Sequence, residues 1–109
     1  MVRFGQIGRL KPEMVEEYCR LHAAVWPAVL ETIHNCNMRN YSIFLHGTLL
    51  FNYFEYVGTD YPADMEKMAQ DPVTQKWWAV TDPCFETYAF SETSEFCEDM
   101  KEIFHFRGK

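Results

Sequence analysis

A membrane-crossing run is the first thing the sequence lacks. Nowhere do the 109 residues approach the ~20 consecutive apolar positions that a transmembrane helix needs. The amino-terminal Met-Val-Arg-Phe-Gly-Gln has no apolar core of the kind that marks a secretory leader, so none is expected. Paired cysteines are missing as well. Cys19, Cys36, Cys84 and Cys97 stand far apart with no C-x-x-C among them, which argues against a disulfide framework or a zinc cluster. Four reduced thiols are expected instead, and with them a cytoplasmic location. Positive charge is scarce: the formal net charge is −6. A nucleic-acid partner, which needs clustered Lys and Arg to displace counterions, is therefore not expected, nor is a membrane partner. An anionic substrate also fits poorly, whereas a neutral small molecule fits well. His34, His46 and His105 form no H-x-H pair and have no acidic neighbour at ligand spacing, so neither a metal nor another cofactor is expected. There is no internal repeat.

What is plentiful is apolar and aromatic. Hydrophobic residues make up 48% of the chain and aromatics 17%, enough for a real core in one domain spanning residues 1–109. A domain this small covers only part of its own surface. The aromatic excess therefore points to burial against a second copy of the chain.

Residues 2–10 alternate as a strand, with Val2, Phe4, Gln6, Gly8 and Leu10 on one side and Arg3, Gly5, Ile7 and Arg9 on the other. Lys11-Pro12-Glu13 opens a helix that is expected to run to about Asn35, with acids Glu13, Glu16 and Glu17 at its positive end. Pro27 either kinks this helix one turn after His22 or divides it in two. Strands follow at about 39–46 and 49–57, joined by a turn at His46-Gly47-Thr48. The second of these is apolar on both faces, so both faces should be covered. Residues 60–80 read as two helical pieces joined near Asp71-Pro72, with Asp71 as an N-cap. The acidic stretch 82–99 reads as a long loop, Lys101–Phe106 as a closing strand, and 107–109 as a frayed end. This order gives an α+β fold, the ferredoxin-like β-α-β-β-α-β sandwich with two helices on one face of an antiparallel sheet.

The first helix carries the strongest chemical signal. Val15, Cys19, Val29 and Ile33 define an apolar stripe, and Tyr18, His22 and Trp26 fall inside it at successive i+4 steps. A histidine so placed is either a hydrogen-bonded core residue or a proton-transfer group beside a phenol. Tyr41 shares a strand face with Ile43 and Leu45 and reads equally as core. Trp77 and Trp78 point about 100° apart on a helix, so only one is expected to line a site squarely. Glu55 reads as a paired carboxylate of the sheet.

The run Glu17-Tyr18-Cys19-Arg20-Leu21-His22-Ala23-Ala24-Val25-Trp26-Pro27 resembles the E-Y-x-x-x-H-x-x-x-W-P motif of the L-rhamnose mutarotases. Asn40-Tyr41-Ser42-Ile43-Phe44-Leu45, Leu50-Phe51 with Glu55, and Trp77-Trp78 are similar to further motifs of that family, and they occur in the same order. The resemblance implies a dimeric ferredoxin-like (α/β-barrel type) isomerase that interconverts α and β anomers of a monosaccharide. It also implies that His22 is the proton donor and that Tyr18, Tyr41, Trp77 and Trp78 contact the sugar. For the accompanying base, water and Tyr41 are the candidates. The sequence departs from the family pattern at Leu21, Ala23 and Ala28, which keeps L-fucose or another sugar in view as substrate. A dimeric ferredoxin-like monooxygenase and a ligand-binding dimer without turnover are the rival readings.

Overall fold

The computed structural model describes residues 1–109. Strand β1 (Val2–Arg9) leads through a 3-10 turn at Pro12–Met14 into α1 (Val15–His22) and then α2 (Pro27–Asn35). Strands β2 (Met38–His46) and β3 (Leu49–Tyr56) form a hairpin, followed by α3 (Tyr61–Gln70) and α4 (Pro72–Thr81). A second 3-10 turn at Asp82–Cys84 and a short β4 (Cys97–Met100) complete the fold. The sheet order is β2-β3-β1-β4, antiparallel at every pairing, which is the expected ferredoxin-like arrangement. No helix is long and apolar enough to cross a membrane.

The long first helix is two helices. Trp26, which precedes a proline, takes an extended conformation (φ −62°, ψ 132°), as the clash with the proline ring favours. Pro27 then opens α2 as its first residue, where no N–H is needed. His22 is thereby left at the carboxyl end of α1, beside the break. Asp71 caps α4 as expected, its side chain accepting from the Thr74 N–H. The hairpin turn is Gly47-Thr48, with Gly47 at φ 62°, a conformation glycine adopts without strain.

The closing strand lies earlier than the apolar alternation suggested. Cys97–Met100 pairs with Gly5–Gly8 of β1, whereas residues 101–109 have no regular secondary structure and are exposed. The cause is steric fit at the β1–β4 seam. A Cβ on Gly8 would stand 2.9 Å from Cys97 Sγ and 3.0 Å from the Phe96 carbonyl oxygen. Only glycine at this position lets the segment around Cys97 approach so closely.

All helices lie on one face of the sheet. Leu10, Tyr18, Leu50, Cys84 and Phe85 form one buried cluster, and Cys36, Met38, Phe54 and Met68 form another. Leu10 and Leu50 are fully enclosed, each contributing about 1.5–3 kcal/mol by leaving water. The four cysteines are all free thiols.

Candidate active site

Between the two core clusters the helices stand clear of the sheet and leave a cavity of two adjoining chambers, about 530 Å³ and about 330 Å³. Gln6, His22, Tyr41, Ile43, Trp77 and Trp78 border both. The larger chamber is walled by apolar side chains, among them Val29, Ile33, Met38 and Phe54. The smaller is more polar, adding Tyr18, Asn52, Thr81, Asp82 and Cys97. An apolar pocket with a few convergent polar groups is the usual form of a small-molecule site.

His22 sits where α1 ends. Its Nδ1 is 2.8 Å from the Tyr18 carbonyl oxygen. A carbonyl only accepts, so Nδ1 carries a hydrogen and donates it, which leaves Nε2 as the nitrogen available for proton exchange. The imidazole stacks on Tyr18 (ring centroids 4.1 Å apart) and meets Trp77 edge-on at 5.3 Å. Trp26 braces Trp77 from behind at 5.1 Å. The histidine is thus oriented by one hydrogen bond and two aromatic contacts.

Tyr41 reaches the cavity because β2 is irregular. The β2–β3 register shifts between Arg39 and Ser42, so that Asn40 and Tyr41 together face Phe54. Asn40 adopts φ 52° and turns outward, donating to Glu55, while Tyr41 turns inward and stacks on Phe54 at 5.3 Å. Glu55 also accepts from Tyr53, and these hydrogen bonds hold its carboxyl below the usual range. It is the paired carboxylate the sequence suggested, on the outer face of the sheet and away from the cavity.

Burial raises the pKa of Tyr18 far above that of a free phenol. Although Tyr41 retains exposed surface, the chain packed around its phenol pushes its pKa up to about 12. Both remain neutral hydroxyls at working pH, which argues against Tyr41 as the base. Trp77 and Trp78 both border the cavity, despite their angular separation on α4, because the cavity spans the helix face between them. Trp77 is buried against His22, and Trp78 packs beside the cluster around Phe54.

Among the polar groups that the structure adds to those of the sequence motifs are Gln6, Asn52 and Asp82. Asp82 is the one carboxylate on the cavity wall, and burial, with Glu95 nearby, raises its pKa above the ordinary value. Asn52 carried a readable signal, an amide on the same strand face as Leu50 and Phe54.

A family model for L-rhamnose mutarotase matches residues 3–106. The chain is 32% identical over 105 residues to the L-rhamnose mutarotase of Lactiplantibacillus plantarum, covering 96% of this chain and 98% of that protein. With the L-rhamnose mutarotase of Listeria monocytogenes serotype 4b it shares 34% identity over 108 residues, at the same coverage. The crystal structure of an L-rhamnose mutarotase from Formosa agariphila superposes with a TM-score of 0.77, covering 97% of this chain and 99% of that one. The two sequences are 18% identical, so that likeness bears on the fold alone.

Proposed function

Because the chain belongs to the L-rhamnose mutarotase family, we propose that its cavity interconverts the α and β anomers of L-rhamnose, with His22 as proton donor. The observation that carries this reading is the state of His22. Its Nδ1 is committed to the Tyr18 carbonyl, and its other nitrogen belongs to a cavity walled by tyrosines and tryptophans. In this mechanism protonated His22 delivers a proton from Nε2 to the ring oxygen as the anomeric hydroxyl loses its own. The C1–O5 bond breaks, leaving an aldehyde and a C5 hydroxyl. Rotation about C1–C2 turns the other face of the carbonyl to that hydroxyl, and closure reverses both transfers. No covalent intermediate with the enzyme is needed.

Asp82 supplies the base in this reading, as the wall's only carboxylate. Burial raises its pKa, which makes its carboxylate a stronger proton acceptor than that of an exposed aspartate. Trp77 and Trp78 present flat apolar surface to the sugar's C–H face and methyl group, and the neutral hydroxyls of Tyr18 and Tyr41 bond its oxygens. The protein works as a homodimer in this account, since the sheet face opposite the helices exposes Phe44 (63%) and Met100 (43%) beside Phe51 and Ile7. Four free thiols suit the reducing cytoplasm.

The test is anomer exchange followed by NMR with L-rhamnose, L-fucose and common pentoses and hexoses. Acceleration that is greatest for L-rhamnose supports the proposal, and exchange at the buffer rate for every sugar overturns it.

A further inference from the structure

The smaller chamber has a polar floor that the proton-transfer chemistry does not use. Gln6 of β1 and Asn52 of β3 are direct partners across the antiparallel ladder, so both side chains stand side by side on the helix-facing surface of the sheet. Both border the chamber that also holds His22 and Tyr18. Asn52 is only 6% exposed. One end of its amide donates to Cys97 Sγ at 3.3 Å, and the other end, Oδ1, has no hydrogen-bond partner. Turning the amide round would merely exchange which atom is left unpaired. Gln6 donates from Nε2 to Asp99 Oδ1 at 2.8 Å, which fixes the amide and leaves its own carbonyl oxygen as an acceptor.

A buried amide atom without a partner is unfavourable, and few native side chains are left so. Here the remedy would not come from the surrounding chain, which offers Asn52 Oδ1 no donor. A sugar hydroxyl entering from the cavity provides one. Two acceptors on neighbouring strands suit two neighbouring hydroxyls.

We propose that Gln6 and Asn52 form a specificity-determining subsite that binds two adjacent hydroxyls of the monosaccharide, with Cys97 and Asp99 holding the two amides in place. The proposal rests on the mutarotase reading of the cavity and adds to it. The Trp77 and Trp78 surface takes the apolar face of the sugar, while the strand floor counts its hydroxyls. A site built this way discriminates strongly against a substrate lacking the hydroxyl, because the amide is then left unpaired as it was before binding.

The test combines sugar and protein variants. Asn52→Leu keeps the branched side-chain shape and removes the unpaired atom, and Gln6→Met removes the second acceptor with an unbranched side chain of similar length. Binding of L-rhamnose and of its 2-, 3- and 4-deoxy analogues is measured by NMR titration, and KM and kcat by anomer exchange. Each variant is expected to raise KM for L-rhamnose roughly ten- to a hundredfold, with a much smaller change in kcat and no loss of thermal midpoint. Two neighbouring deoxy sugars should show that same loss with the unaltered protein, and each should show no further loss with the one variant that removes the partner of its missing hydroxyl. Unchanged KM in both variants, or losses for every deoxy sugar that add fully to the losses of both variants, overturns the subsite while leaving the mutarotase reading intact. Absence of both binding and exchange with the unaltered protein overturns the mutarotase reading itself, and the subsite with it.

Discussion

In the proposed mechanism, the nitrogen of His22 that meets the sugar is chosen by a backbone carbonyl. The Tyr18 oxygen takes the hydrogen on Nδ1, and the ring is held between Tyr18 and Trp77, so proton transfer falls to Nε2. Asp82, raised by burial, makes the acid limb of the rate distinctive. A base must be unprotonated to act, so the rate should fall as pH drops through a value above the ordinary carboxylate range, and Asp82→Asn should abolish that limb along with most of the activity. A pH–rate profile of both proteins checks this. Tyr18→Phe removes one hydroxyl from the wall and should raise KM roughly tenfold with little change in thermal midpoint, as sugar titration and melting curves would record. The residues named by sequence motif, Tyr18, His22, Tyr41, Trp77 and Trp78, all border the cavity. Gln6, Asn52 and Asp82 belong to no sequence motif, and only the strand face of Asn52 is readable. They meet only through strand register and the turn after α4, relations that no local spacing encodes.

At the level of elements, the site depends on places where regular structure is interrupted. The α1–α2 break leaves His22 at a helix end, and the shift in β2 turns Tyr41 inward. Pro27 in the sequence allowed either a kink or two helices, and the extended preference of the residue before proline decided for two. Ile103, Phe104 and Phe106 look more strand-like than Cys97-Glu98-Asp99-Met100, yet the closing strand forms at the latter. Pairing is decided instead by the close approach that Gly8 permits, a contact between residues far apart in sequence. Gly8→Ala should accordingly destabilise the β1–β4 seam by about 1–3 kcal/mol, seen as a lower midpoint in urea. The loss of the α4 cap in Asp71→Ala should lower the thermal midpoint by roughly 4–8 °C. Acid should act on the same elements. Asp64, bonded by Tyr56 and Asn37, and Asp71, bonded by Thr74, both have lowered pKa values. Their stabilisation is complete above the usual carboxylate range and is lost as pH falls through their lowered values, which melting curves across acid pH would show.

For the whole molecule, one sheet face is closed by helices and the cavity, and the other is open and apolar. The tail beyond β4 adds to that exposure, with Ile103 at 90%, Phe104 at 81% and Phe106 at 68%. Such a surface on a small domain calls for a partner, and a second copy of the chain is the occupant proposed above. Phe44→Glu should therefore shift the protein from dimer to monomer in sedimentation experiments. The central claim, however, is that a single histidine in this cavity moves the proton that opens the sugar ring. It is tested most directly by NMR anomer exchange of L-rhamnose with the unaltered protein and with His22→Ala, at matched concentration and with sedimentation confirming the same assembly. The expected result is clear acceleration by the first and a loss of roughly 10²–10⁴-fold in the second. Undiminished exchange in His22→Ala would contradict the account.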